Sequence, residues 1–539
     1  MVAGLKNYEI FLYFFLWISA NIYSLYKLYD VQSKIFNNNP DAEFRDITEG
    51  WPVLDRLKDY SDFEWTTWMY LFSSSWIYYL LHFFVSEFLR KKLKKLVPYW
   101  YILASLMYIN KLFDAKQSLF IISQPILFGI ITFCGASKLF LWVTCVVNLL
   151  GINWLKNNSI MWDIFNEFQV DEEEVNLLII CLGWTQLRCL SYCINYIDFW
   201  DKKSSLTEDN KRTRFRNIFY DLIKLLSYVL YLPTLYSGPI ILYDEFEKSF
   251  VCKGNETLEK LASFFKNIII YLTYTLLLEI AFHYIYFLGM LDGINYIKRM
   301  PAMALCGGGL WMGLQFHLKY VISYGAAGAF SRLDNIEPPP TPRCIARIHA
   351  YSQMWRYFDV GLYKFLIKYM YVPLIKVISM KTKWSKLPAK QIASFITYVF
   401  IFIWHDATYS IFVWAVLNYI GISLEQFGTI IMETDRYKKF KYNVLKSDAM
   451  EIRFKALVAT PLFAMSAISS FYLFADYEIG NLFFKYSMRP SFWNFIIISL
   501  ALYSGCHVSM FLKNVSSRTD PAFYSTGKVH FNTDLIKIM

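Results

Sequence analysis

Apolar runs long enough to cross a bilayer recur from one end of this chain to the other. A hydrocarbon core about 30 Å thick takes roughly 20 residues of helix per crossing. About ten to twelve runs of that kind, bounded by charge, can be read, near 8–28, 66–89, 97–113, 117–134, 136–153, 175–197, 263–290, 302–330, 390–420, 455–475 and 490–513. The composition agrees, because 56% of the 539 residues are hydrophobic, 19% aromatic and only 18% charged, well outside the range of soluble domains. The expected architecture is an all-α polytopic membrane helix bundle in one membrane-embedded unit. It divides into N-terminal spans over 1–160, a core over 175–426 and C-terminal spans with a tail over 450–539.

The net charge of +11 does not point to nucleic acid, since the basic residues sit in short clusters beside apolar runs, where they act as orientation signals. Arg90 to Lys95 follows the second run, whereas Asp41 to Glu64 before it is acidic. Positive charge stays cytoplasmic, so the N-terminus is expected in the cytosol and residues 30–65 in the lumen, with the basic stretch Asp201 to Arg216 again cytosolic. The run from Tyr8 to Tyr26 lacks the basic head and small-residue cleavage site of a secretory signal and reads as a retained span. No C-terminal retention tetrapeptide or lipidation motif is seen. The nine cysteines are scattered, most of them inside apolar runs, without zinc spacing, and no structural disulfide is expected.

Two places interrupt the apolar runs: Tyr231 to Ile240, reading YLPTLYSGPI, and Gly307-Gly308-Gly309. Freed backbone groups at membrane depth are tolerated only against protein or a wet cavity, so re-entrant segments around a tunnel are expected, with a Pro-kinked span as the other reading.

The residues able to carry chemistry cluster between Ser331 and Gln426. A Pro-rich loop, Glu337 to Cys344, precedes Met354 to Pro373, which is apolar and aromatic apart from Arg356, Asp359, Lys364 and Lys368. Lys364 and Lys368 share a helix face, and a continuous helix would turn Asp359 about 140° away from Lys364. A carboxylate in such a stretch is a functional-site candidate, the plainer reading being an ion pair with Arg356 one turn earlier. His405 interrupts the long run that starts near Ile392, and its imidazole could serve as a general base. A lone histidine in an apolar run is more often a hydrogen-bonded core group, a reading open also to His82, His283, His317 and His507.

The stretch Pro342 to Leu362, reading PRCIARIHAYSQMWRYFDVGL, then Trp404-His405 and Trp414 to Gly421, reading WAVLNYIG, closely resembles the Hedgehog acyltransferase branch of the membrane-bound O-acyltransferase family. Weaker likeness extends upstream through Thr185 to Ser191 and Pro233 to Pro239. The resemblance implies a fold enclosing a tunnel. It also implies transfer of palmitate from palmitoyl-CoA to the N-terminal cysteine amine of a Hedgehog-type secreted protein, and of epidermal-growth-factor-type ligands such as Spitz, in the endoplasmic reticulum membrane. It places the family's catalytic histidine on His405 and its essential aspartate on Asp359. Acyl-CoA contacts would fall on Trp355, Arg356, Lys364 and Asn418, with Arg343, Arg347 and Lys368 as further cations for the coenzyme phosphates, and a haem-ligating thiolate on Cys344. No catalytic metal is implied. The chain departs from many relatives at Val372 to Lys376, where they carry Gly-Gly after the proline. Two rivals remain: a lipid O-acyltransferase of the glycerol-uptake-like branch, and a transporter, which would explain the spans but not the Asp359 and His405 pair.

Overall fold

The computed structural model describes residues 5–38, 44–158, 160, 172–204, 218–251, 256–345, 348–382, 386–488 and 491–519. α1 (Asn7–Asn38) leads into a hairpin of β1 (Ile47–Glu49) and β2 (Leu57–Asp59), antiparallel with Ile47 opposite Asp59. Five helices follow: α2 (Phe63–Lys92), α3 (Val97–Leu112), α4 (Ala115–Phe133), α5 (Lys138–Asn157) and α6 (Glu172–Ser204). Local chemistry sets their starts. Asp62, Asp114 and Ser137 accept hydrogen bonds from first-turn N–H groups of α2, α4 and α5, and Pro98 sits in the first turn of α3.

Next come α7 (Ile218–Val229), α8 (Tyr243–Lys248), α9 (Thr257–Phe282) and α10 (Ala302–Leu333). The remainder is α11 (Tyr351–Tyr357), α12 (Val360–Leu366), α13 (Val372–Thr382), α14 (Lys386–Trp404), α15 (Tyr409–Glu433), α16 (Asp448–Phe474), α17 (Tyr477–Met488) and α18 (Phe492–Thr519). Among the described residues nine helices are long and apolar enough to cross a membrane, and α2 and α10 match them in length. The chain is an all-α polytopic membrane protein. α6 lies at its centre: 83% of its apolar window is buried, against 11% for α1 and α9, whose outer faces leave side chains such as Phe11 and Phe265 for lipid.

The segment between α7 and α8 enters the bundle and returns. Tyr228 donates to the Ile241 carbonyl (2.6 Å) and Lys224 pairs with Glu247 (3.3 Å), so the two limbs lie side by side around the turn at Leu232–Thr234. The carbonyls freed at that turn need donors. Arg188, fully buried on α6, supplies them, bonding Val229 (3.3 Å), Leu235 (3.1 Å), Ser237 (3.3 Å) and Thr234.

The glycine triplet behaves differently from the expectation of a broken helix. Gly307, Gly308 and Gly309 sit inside the continuous α10, where they seat neighbours: a Cβ on Gly307 would come within 2.1 Å of the Ser24 carbonyl oxygen of α1, and those on Gly308 and Gly309 would strike Phe287 and Phe471. Close helix packing, and not re-entry, explains the triplet. The expected single run 390–420 is likewise two helices, α14 and α15, parted at residues 405–408.

The hairpin closes one end of the bundle. Asp59 accepts from Gly289 N (3.0 Å), Trp51 N donates to His283 Nε2 (2.9 Å), and Lys58 pairs with Glu279 (2.6 Å).

Candidate active site

Asp359 stands in the gap between α11 and α12, where it caps α12. Its Oδ1 accepts from Leu362 N (2.8 Å) and its Oδ2 from the Tyr324 hydroxyl of α10 (2.9 Å). Gly361 fixes this cap against the returning limb of the re-entrant segment, since a Cβ there would lie 2.5 Å from the Ile240 carbonyl oxygen. The continuous helix through Asp359 is therefore not formed, and neither is the ion pair with Arg356. The Arg356 guanidinium lies over the Tyr363 ring (5.8 Å), and its Nε is buried without a hydrogen-bond partner.

His405 closes α14, its N–H bonding the Ile401 carbonyl (3.0 Å). Asp406 (φ 107°) and Ala407 (φ 54°) follow in left-handed backbone, and Thr408 then caps α15. Such conformations cost about 1–3 kcal/mol each in non-glycine residues and collect at functional sites. Neighbours hold the bend in place: Asn153 donates to the Ile403 carbonyl (2.8 Å), Trp404 Nε1 to the Gly183 carbonyl (3.1 Å), and Lys156 pairs with Asp406 (2.9 Å). The imidazole rests edge-on against Trp404 (4.7 Å) and Trp414 (5.2 Å). Among the described residues nothing hydrogen-bonds either ring nitrogen, which leaves both open to a ligand.

An aromatic wall joins the two groups. Trp184 packs on Tyr324 (6.3 Å), the partner of Asp359, and on Trp404 (5.2 Å), the neighbour of His405. Trp355 packs on Trp414 (5.6 Å), against which His405 also rests, and donates Nε1–H to Asn418 Oδ1 (3.0 Å), whose amide bonds the Trp414 carbonyl (2.8 Å). Asp359, His405 and Trp355 each keep part of their surface accessible.

Of the other expected contacts, Lys364 and Lys368 do share a face, and each is engaged: Lys364 with Glu245 (2.9 Å) and Lys368 with Asp244 (2.8 Å) of α8. Arg343 stacks over the Tyr357 ring (4.3 Å), and Arg347 lies outside the described residues. Cys344 is part-exposed on the loop before α11. The nearest imidazole in sequence, His349, bonds Ser509 through Nδ1 (2.7 Å), and among the described residues no cluster of metal-ligating side chains accompanies Cys344.

The sequence reading missed a polar chain on the other wall. Lys319 of α10 is buried between Asp62 (3.0 Å) and Glu64 (2.7 Å) at the start of α2, and the Tyr320 hydroxyl donates to Glu64 (2.7 Å). A lysine inside the apolar run 302–330 was the available signal, because an intramembrane charge demands a partner.

Comparison with known proteins agrees with this architecture. The chain is 28% identical over 93% of its length to the protein-cysteine N-palmitoyltransferase Rasp of Drosophila melanogaster, covering 94% of that protein. It is 25% identical over 94% of its length to the mouse protein-cysteine N-palmitoyltransferase HHAT, covering 98% of it. A yeast membrane-bound O-acyltransferase, GUP2, is 22% identical over 53% of this chain and 48% of its own length. The pattern of the MBOAT, membrane-bound O-acyltransferase family, matches residues 174–469, which include the re-entrant segment, Asp359 and His405, and the chain belongs to that family.

Proposed function

We propose that this protein is a protein-cysteine N-palmitoyltransferase, moving palmitate from palmitoyl-CoA to the N-terminal amine of a secreted protein of the Hedgehog type. The observation that carries the reading is His405, a helix-ending imidazole ahead of two left-handed residues, with no hydrogen bond to either ring nitrogen among the described residues and joined to Asp359 through the aromatic packing of Trp404, Trp184 and Tyr324. The likeness over nearly the whole chain to Rasp and HHAT, both protein-cysteine N-palmitoyltransferases, supports it.

The acceptor amine attacks the thioester carbonyl carbon. A C–N bond forms, the C–S bond breaks, His405 takes the amine proton, and coenzyme A leaves as a thiolate that is then protonated. His405, whose ring nitrogens carry no hydrogen bond among the described residues, is the base, while Asp359 sets the local field and holds Tyr324 against the site. Trp355 and Asn418, locked to one another, would line the acyl-CoA side. Arg356 offers the coenzyme phosphates a guanidinium with no acid partner among the described residues, whereas Lys364 would have to leave Glu245. No serine or cysteine nucleophile is needed.

We place the protein in the endoplasmic reticulum membrane with its N-terminus cytosolic. The Arg453 pair with Glu9 (2.7 Å) sets the starts of α1 and α16 together, at the end opposite the hairpin, and the Arg90–Lys95 cluster falls on that same end. A tag after Lys95 should be cytosolic and one near Asp46 lumenal, and the reverse protease accessibility would overturn this orientation. The expectation of haem on Cys344 is checked by a Soret band that disappears in Cys344→Ala; a band unchanged in that variant removes Cys344 as ligand.

Labelled palmitoyl-CoA presented with a Cys-initiated Hedgehog-type peptide and with a lysolipid tests the activity. Label in the peptide is the expected outcome. Label in the lipid alone would favour an O-acyltransferase of the glycerol-uptake-like kind and sink the reading.

A further inference from the structure

An amine acceptor differs from a hydroxyl acceptor in one elementary respect: it arrives charged. An α-amine titrates near pH 7.7–8.0, so at neutral pH most of it is ammonium. A site built for it benefits from fixed negative charge beside the general base, and a site built for an alcohol does not.

The junction of α2 and α10 carries that charge. Asp62 and Glu64 flank a single cation, Lys319, leaving the trio with one uncompensated negative charge. The two acids are not equivalent. Asp62 is nearly sealed, with 9% of its side chain exposed, and is held through both oxygens by Lys319 and through Oδ1 by Trp65 N. Glu64 keeps 34% of its side chain accessible. Each of its oxygens accepts one hydrogen bond, from Tyr320 (2.7 Å) and from Lys319 (2.7 Å), leaving lone pairs on both free for a further donor.

Glu64 belongs to the constellation already described. Glu64 lies within Coulombic reach of His405, and Tyr320 lies within reach of both Glu64 and Asp359. Tyr320 also packs on Tyr324 (5.2 Å), the hydroxyl partner of Asp359, and on Phe358 (5.9 Å), the residue before it.

We infer that Glu64 is the specificity-determining residue for the acceptor: its carboxylate receives the N-terminal ammonium of the incoming protein and seats that nitrogen beside His405. This rests on the N-acyl transfer reading above. Lys319 and Tyr320 act as positioning residues, fixing the carboxylate so that it does not collapse onto the imidazole. Asp62 and Glu64 stand outside the stretch 174–469 common to the O-acyltransferase family, as a feature tied to a charged acceptor would.

The test uses the purified full chain. A labelled peptide with an N-terminal cysteine is competed with the unlabelled peptide and with its des-amino analogue, in wild type, Glu64→Gln and Glu64→Asp. A hydrogen bond to a charged group typically changes affinity about tenfold to a hundredfold. Wild type should prefer the amine peptide by that factor, Glu64→Gln should lose most of the preference, and Glu64→Asp should keep part of it, all with palmitoyl-CoA affinity unchanged. Glu64→Gln protein that retains the wild-type preference overturns the inference. Should Glu64→Gln fail to purify, Tyr320→Phe, which keeps the Lys319 pair, must lower the preference, and an unchanged value again overturns it. Palmitate transfer to the same peptide separates the two claims. Wild type that transfers without amine preference removes only the Glu64 inference. Wild type that prefers the amine without transferring removes only the transferase reading.

Discussion

Two constellations in this protein are built from the same kinds of side chain, and they do opposite things. At the Arg90 end, Asp334 caps α10 and draws together His82 (2.9 Å), Ser86 (2.6 Å), the Tyr231 hydroxyl (2.8 Å) and Arg90 (3.6 Å). All but Arg90 are essentially sealed, and together they clamp α2, α10 and the mouth of the re-entrant segment. In the second constellation Asp359 and Tyr324 are joined the same way, but His405 stands apart, with neither ring nitrogen hydrogen-bonded among the described residues. An aspartate, a histidine and a tyrosine thus make a staple where the carboxylate binds both the imidazole and the hydroxyl. They make a candidate site where the imidazole is left open.

The contrast is sharpest in how substitution should act. His405→Ala should lower palmitoyl transfer about 10²- to 10⁴-fold with the melting temperature near wild type, the usual loss for a general base. Asp359→Ala should also lose most activity, and the double variant should be little worse than the worse single one, because members of one catalytic unit are strongly non-additive. Asp334→Ala should instead unfold the bundle, costing about 3–5 kcal/mol by stranding Arg90 and His82, as read by thermal unfolding in detergent. Stable Asp334→Ala protein that has lost activity, or active His405→Ala protein, would collapse the distinction. A smaller effect is expected from Tyr324→Phe, which removes one hydrogen bond to a carboxylate. It should cost about 1.5–3 kcal/mol of transition-state stabilisation, seen in kcat while the KM for palmitoyl-CoA holds.

What the sequence made legible follows the range of the physics involved. The spans could be read because apolar length is a local property, and the re-entrant segment because Pro233 and Pro239 break a helix wherever they fall. Asp359 and His405 stood out as charge in apolar surroundings. The helix break at Asp359 and the left-handed bend after His405 could not be read, because each is fixed by distant partners: Ile240 pressing on Gly361, and Asn153 and Lys156 holding residues 403–406. Glu64 was hidden for the same reason. In sequence it belongs to an acidic stretch that reads as a solvated loop, and only its pairing with Lys319, far along the chain, turns it inward.

The smallest predicted effect concerns the hairpin, which lies outside the membrane spans and whose buried acid contrasts with the solvated carboxylates around it. Burial pushes the Asp59 carboxyl up to about 6 from an ordinary value of 3.8, although Ser61 and the Gly289 N–H bond its charged form. An acid whose folded value is raised binds its proton more tightly when folded. Its stabilising contribution is therefore full below pH 3.8 and is lost as pH rises through about 6. Docking of the hairpin against α9 and the Gly289 turn should accordingly strengthen by roughly 1 kcal/mol between pH 7 and pH 5. Hydrogen exchange of the β1 and β2 amides, corrected for intrinsic rates, should slow by about fivefold to tenfold over that interval in wild type and by much less in Asp59→Asn, where the titrating group is gone. Exchange that quickens on acidification would mean the carboxylate is held charged by its hydrogen bonds, and that desolvation is the weaker force at this end of the bundle.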